Sequence, residues 1–185
     1  SLLSTFVRRI KREALHTQRW DLMTISRIHS DSTRSPGWKF SELSVESLPC
    51  IAALYGWWGN SPQYDRASRH FANGGRCFGA YADGMLVAAT WLLRQPEPVS
   101  CRALKVTLSE NELLAVDSYT SPIFRDRGIQ TALKQWAYAK AHAEGFTIKA
   151  LVPRDNKAIS AVWRKLGAEH IDSRTQWHIL GQAID

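Results

Sequence analysis

Two positive charges flank an acid and precede a glycine at Arg125-Asp126-Arg127-Gly128, where the segment LLAVDSYTSP gives way to the amphipathic run IQTALKQWAYAKAHAE. Serine or aspartate is the usual cap for a helix start, whereas glycine offers no side chain and leaves the backbone open. The first N–H groups of a helix lack intrahelical acceptors and carry the positive end of its dipole, so phosphate is a natural occupant there. Gly128 lets those N–H groups approach a ligand closely, and Arg125 and Arg127 add charge. No Gly-Lys-Ser/Thr follows, so nucleotide hydrolysis is not indicated.

A strand must deliver the chain to that loop and a helix must leave it. ENELLAVDSYTSP reads as a buried strand ended by Pro122, and the helix is expected from about Arg127 to Glu144, closed by Gly145. Upstream, RCFGAYADGMLVAATWLL is a hairpin turned at Asp83-Gly84, a type I′ signal. SVESLPCIAALYGWW and SPQYDRASRHFANGG read as helices, the second capped by Ser61 with Pro62 in its first turn. Downstream come a strand FTIKALV, a helix from Asn156 to Leu166 stopped by Gly167, and one or two strands in HIDSRTQWHIL. The order predicts a mixed α/β domain (α+β in its mixed sheet) with at least one parallel crossover.

The N-terminal region reads differently. Leu3, Val7, Ile10 and Ala14 fall at helical spacing, which predicts a basic amphipathic helix over about residues 2–18. A short strand WDLMTISRI and a polar linker IHSDSTRSPGWK follow, so residues 1–37 are expected to form an arm and residues 38–185 the domain. Residues 1–40 hold eight of the 24 Lys/Arg and three of the 17 Asp/Glu, a net of +5, leaving only +2 on the other 145 residues. A nucleic-acid binder more often carries its excess on the folded face, so nucleic acid is not an expected partner.

No apolar run approaches the ~20 residues of a membrane span, and Arg8, Arg9, Lys11 and Arg12 interrupt the first apolar residues, unlike a secretory signal. The start at Ser1 rather than Met points to trimming or an excerpt. Cys50, Cys77 and Cys101 are odd in number and widely spaced, which fits a reducing cytoplasm rather than a disulfide framework. The six histidines show no metal-ligand spacing, so no metal is expected.

Two separated motifs resemble the GCN5-related N-acetyltransferase (GNAT) family. The first is the strand, Pro122, Phe124 and Arg125-Asp126-Arg127-Gly128-Ile129-Gln130; the second is NKAISAVWRKLGA, Asn156 to Ala168. Together they cover about residues 76–172, with residues 38–75 fitting the family's variable first helices. The resemblance implies a central mixed sheet with splayed parallel strands flanked by helices, the acyl-CoA N-acyltransferase fold. It implies acetyl-CoA, or another acyl-CoA, as co-substrate, its pyrophosphate held by Arg125, Asp126, Arg127, Gly128, Ile129, Gln130 and Thr131. The pantetheine would pair along Ser118, Tyr119 and Thr120, with Asn156 and Trp163 completing the cofactor site. Asp117, Tyr119 and Ser160 are the catalytic candidates for direct attack of an amine, from a small molecule or a peptide, on the thioester.

Three positions depart from the family pattern: Gln130 replaces a small residue, Trp163 stands where a tyrosine often serves as acid, and Ala168 replaces a phenylalanine. Gln130 is expected to narrow the phosphate loop or to donate its amide to a phosphate. Trp163 keeps open a catalytically silent acyl-CoA sensor, and the basic arm keeps open an acyl-carrier-protein donor. Asp117 is read either as general base or as a carboxylate satisfied by nearby backbone. Trp57-Trp58 is read either as an acceptor platform or as a loop anchor. Stable membrane insertion is not expected, and a homodimer is an open option.

Overall fold

The computed structural model describes residues 15–26, 37–57, 61–94, 106–179 and 182–184. Eight strands form one sheet, β1 Leu15–Ile25, β2 Lys39–Leu43, β3 Arg76–Ala82, β4 Met85–Leu93, β5 Glu112–Thr120, β6 Thr147–Pro153, β7 Glu169–Ile179 and β8 Gln182–Ile184. Their order is β2-β3-β4-β5-β6-β1-β7-β8, antiparallel throughout except for the β5–β6 pair. Helices α1 Leu48–Tyr55 and α2 Pro62–Ala72 pack on one face. Helices α3 Ile129–Ala143 and α4 Lys157–Lys165 pack on the other.

The local signals in the central segment act as expected. Asp83 and Gly84 both take positive φ, 48° and 78°, as a type I′ hairpin requires. Ser61 Oγ accepts from the Tyr64 N–H at 3.2 Å, capping α2 ahead of Pro62. Along β5 the side chains alternate. Leu113 and Ala115 join the core under α3 and α4, while Leu114 and Val116 join the core under α1 and α2. The α3 stripe Ile129, Leu133, Ala137 and Ala141, spaced at one helical turn, is buried on the first of these cores.

Two expectations are corrected. Residues 15–18 belong to an eleven-residue strand and not to a helix, and residues 1–14 lie outside the described residues. The division after residue 37 fails for this stretch, because β1 lies inside the sheet, paired antiparallel with β6 on one side and β7 on the other. Leu22 and Ile25 are buried there, and Asp21 accepts from Arg154 Nη2 at 2.8 Å and from Ser173 Oγ at 2.9 Å. Partners remote in sequence override the helical periodicity of the preceding residues. The second correction is β2, Lys39–Leu43, an edge strand on β3 where only helices were expected. Its exposed Lys39 and Ser41 hide the apolar alternation. Most of the predicted linker, residues 28–36, lies outside the described residues.

The parallel pair is short. β5 and β6 share three residue pairs, Glu112–Thr147 to Leu114–Lys149, with Lys149 Nζ 2.7 Å from Glu112 Oε2. Beyond them the strands part. β4 keeps β5 ordered through Thr120, and β1 keeps β6 ordered through Trp20–Pro153. Each arm of the gap is therefore braced on its outer side. Ile25, 1% exposed and paired with Ile148 behind the gap, tests this brace. Ile25→Ala should lower unfolding stability by about 3 kcal/mol in chemical denaturation.

Candidate active site

The loop that starts α3 is built from two left-handed residues, Asp126 at φ 61° and Gly128 at φ 78°. Gly128 ends the turn without a side-chain cap, and the first intrahelical bond runs from Ala132 N–H to the Gly128 carbonyl at 3.0 Å. The helix therefore begins at Ile129, two residues later than its sequence suggests, with its first N–H groups uncapped by any side chain. A Cβ at Gly128 would meet nothing within 4 Å, so the turn faces open space. Arg125 folds over the mouth, its Nε donating to the Thr120 carbonyl at 3.2 Å and its guanidinium 5.7 Å from the Tyr119 ring centre.

Behind this loop the gap between β5 and β6 opens into a cavity of about 810 Å³. Asp117 to Thr120, Arg125, Asp126, Gly128 to Thr131, Asn156 and Trp163 all line it. Arg127 and Ser160 do not. Arg127 stacks on Phe124 at 5.4 Å, and Ser160 Oγ donates back to the Asn156 carbonyl at 3.0 Å. Asn156 caps α4, its Oδ1 accepting from Ile159 N–H at 3.1 Å. Gln130 Oε1 accepts from Thr120 Oγ1 at 2.8 Å, while its buried Nε2 has no hydrogen-bond partner. An unmet buried donor is costly.

Asp117 sits where β5 bulges. Between Ala89–Tyr119 and Trp91–Val116 the strand β5 advances three residues against two on β4, and Asp117 takes φ 45° to absorb the extra one. Tyr55 Oη donates to the Asp117 carbonyl, fixing the bulge against α1. The Asp117 carboxylate faces α2, with Oδ2 3.0 Å from Arg66 Nη2 and 3.9 Å from His70 Nε2. Trp57, Tyr55 and Tyr119 stack in a row beside it, with centroid separations of 4.3 and 5.0 Å. Trp57 thus belongs to an aromatic wall; Trp58 lies outside the described residues.

Sequence reading missed Arg66 and His70, one helical turn apart on α2 and flanking the buried Ala67. It also missed Lys134, which stands in the apolar stripe of α3 beside Leu133 and is 4% exposed. A lysine interrupting a helix's buried stripe was the available signal. Its Nζ lies 5.1 Å from the centre of the Trp163 ring, it lines the same cavity, and it makes no ion pair among the described residues. Burial pushes its ammonium down to about 8. Trp163, 2% exposed, packs between Lys134 and Tyr138.

A mixed sheet whose only parallel pair splays over an uncapped, glycine-started helix is the acyl-CoA N-acyltransferase fold. The model of the acetyltransferase (GNAT) family matches residues 39–168, and the chain belongs to that family. No curated protein sequence matches it significantly. Among solved structures, a GNAT-family protein from Novosphingobium aromaticivorans is 19% identical with a TM-score of 0.60, covering 92% of this chain and 69% of that one. A GNAT acetyltransferase from Colwellia psychrerythraea is 12% identical with a TM-score of 0.64, covering 89% of this chain and 57% of that one. The ribosomal-protein-alanine N-acetyltransferase of Brucella melitensis is 20% identical with a TM-score of 0.50, covering 70% and 90%. At these identities the likeness is one of fold. Among the described residues no helix is long and apolar enough to cross a membrane.

Lys134 sets a measurable property of the free protein. Because its folded value of about 8 lies below the unfolded lysine value, the folded state binds fewer protons between the two. The destabilisation is complete below about pH 8 and gone above the unfolded value of ~10.4. Lys134→Met should therefore raise stability at neutral pH by a few kcal/mol, with the gain shrinking as pH rises across that window in denaturant titrations.

Proposed function

We propose that this GNAT domain transfers an acyl group, most simply acetyl, from coenzyme A to an amine. The observation that carries this reading is the uncapped α3 start opening onto a cavity that runs from Gly128 to Asp117 and contains the unmet Gln130 amide. Those residues fit a pyrophosphate at the loop and an extended pantetheine in the gap between β5 and β6.

An acyl-CoA supplies the activated carbonyl when bound. Backbone N–H groups of Ile129, Gln130 and Thr131, with the Gln130 side chain, bind the phosphates, and Arg125 closes over them. The free edge of β5 at Ser118 to Thr120 offers the pantetheine strand-like hydrogen bonds. Asn156 anchors α4, so that Trp163 walls the cavity. On the α1–α2 side, the Asp117 carboxylate takes the amine's proton, while Arg66 holds its Oδ2. The Tyr55–Trp57–Tyr119 row offers the acceptor a flat apolar wall. Ser160 has no part in this scheme.

Trp163 in place of a tyrosine supports a second reading, a domain that binds acyl-CoA without turning it over. Thiol release from acetyl-CoA in the presence of a panel of amines decides between them, since binding without release under any amine leaves only the silent reading. Gly128→Val should abolish the rise in melting temperature produced by acetyl-CoA, because the new side chain fills the phosphate turn. An unchanged rise would refute the site. Trp163→Phe should stay active, losing about tenfold through misplacement of the thioester. Asp117→Asn should lose on the order of a hundredfold in kcat; normal turnover there would remove Asp117 from the chemistry.

A further inference from the structure

We propose that Lys134 is the proton donor to the departing coenzyme A sulfur, the part that a hydroxyl at position 163 would otherwise fill. This rests on the reading that the cavity takes an acyl-CoA. Lys134 reaches the cavity from α3, one turn beyond Gln130. Its Nζ lies over the ring of Trp163, whose indole N–H can donate a hydrogen bond but cannot yield a proton near neutral pH.

Other ionisable groups line this cavity, but none takes that place. Asp117 is engaged by Arg66, and Tyr119 is stacked on Tyr55 beneath Arg125. Asp126 and Arg125 belong to the loop at the mouth, and Lys165 to the far end of α4. Tyr138, one turn further along α3, is buried and does not line the cavity. Of the ionisable groups that line it, Lys134 alone is buried, and it lies against Trp163. A buried ammonium without a carboxylate destabilises the free protein, and the cation–π contact offsets only part of that. The arrangement becomes favourable when a ligand brings negative charge to the site.

A thiolate leaving the thioester is such a charge. The acceptor nitrogen forms a bond to the carbonyl carbon, the carbon–sulfur bond breaks, and its electron pair goes to sulfur. Lys134 gives an Nζ proton to that sulfur, leaving free thiol and a neutral amine that is reprotonated from solvent. The proton lost by the acceptor goes to Asp117 or water, and nothing is oxidised or reduced. Burial holds Lys134 at about 8, close to the ~8.5 of a thiol, so the transfer is nearly thermoneutral.

The test compares binding of coenzyme A and desulfo-coenzyme A by calorimetry from about pH 6.5 to about pH 10, bracketing both ionisations. A lysine and a thiol that share one proton in the complex bind best where they also hold one proton in total when apart. Wild type should therefore prefer coenzyme A by about tenfold, with the preference greatest between about 8 and 8.5 and falling on either side. The ultraviolet absorbance of bound coenzyme A should show thiolate below the pH at which the free thiol ionises. Lys134→Met, and Lys134→Gln as a second variant, should bind both ligands equally. Equal affinities in wild type at every pH, or a preference that survives both substitutions, would overturn the role of Lys134 while leaving the coenzyme site standing. Failure of both ligands to bind wild type would overturn the site and Lys134 with it.

Discussion

Everything at this site depends on the parallel β5–β6 pairing stopping after three residue pairs. A continuous pair would satisfy its backbone groups internally and leave no room for a ligand. A gap in mid-sheet, however, strips both strands of a partner, and unpaired backbone in a protein interior is costly. The chain meets that cost from outside the gap. β4 holds β5, and β1 holds β6 over Ile148 to Pro153, which includes Ala150 to Pro153, the stretch that β5 abandons. Arg154, just past β6, donates to Asp21 of β1 and to Ser173 of β7, tying the braced arm to the next strand as well. The first described strand is thus as much a part of the cavity as the loop that faces it.

The same logic runs through the side chains. Among the described residues, Gln130 Nε2 lacks a hydrogen-bond partner, Lys134 lacks a counter-charge, and Gly128 leaves a helix start without a side-chain cap. Each is unfavourable in the free protein, and all three line one cavity. Scattered through a core they would be isolated defects. Gathered along a path from a phosphate-binding turn to a buried tryptophan, they describe the charge of a ligand. Arg125 and the uncapped helix start stand at its mouth, and Lys134 is buried beside Trp163.

How much of this the sequence disclosed follows from the range of each interaction. Asp83-Gly84, Ser61-Pro62, Gly145 and the Arg125–Gly128 turn act within a few residues, and their elements were legible. The later half of β1 was legible as the strand WDLMTISRI, but its start and its place in the sheet were not, because its partners β6 and β7 lie more than a hundred residues away. β2 was hidden for the same reason, as an edge strand with polar residues facing out. Within the site, the loop and Asp117 were visible because motif and strand mark them. Ser160 looked equally eligible, but its hydroxyl turns back onto the Asn156 carbonyl, as helical serines often do. Arg66 and His70 could not be assigned to the site until the bulge in β5 turned Asp117 toward them.

That bulge joins the two halves of the cavity. An ordinary alternating strand would put Asp117 on the face opposite Val116 and Ser118. The extra residue at φ 45° instead lets β5 carry a carboxylate toward α2 and still present Ser118 to Thr120 along the gap. A non-glycine residue in the left-handed region costs on the order of 1 kcal/mol or more, so the surroundings must hold it there. They do so from both faces: Tyr55 grips the Asp117 carbonyl, Arg66 grips its carboxylate, and Thr90 and Ser118 hydroxyls meet at 2.9 Å across the β4–β5 ladder. Held in this way, one residue of backbone strain sets Asp117, the proposed proton acceptor, against α2. Lys134, the proposed proton donor, stays on the side of α3 and α4.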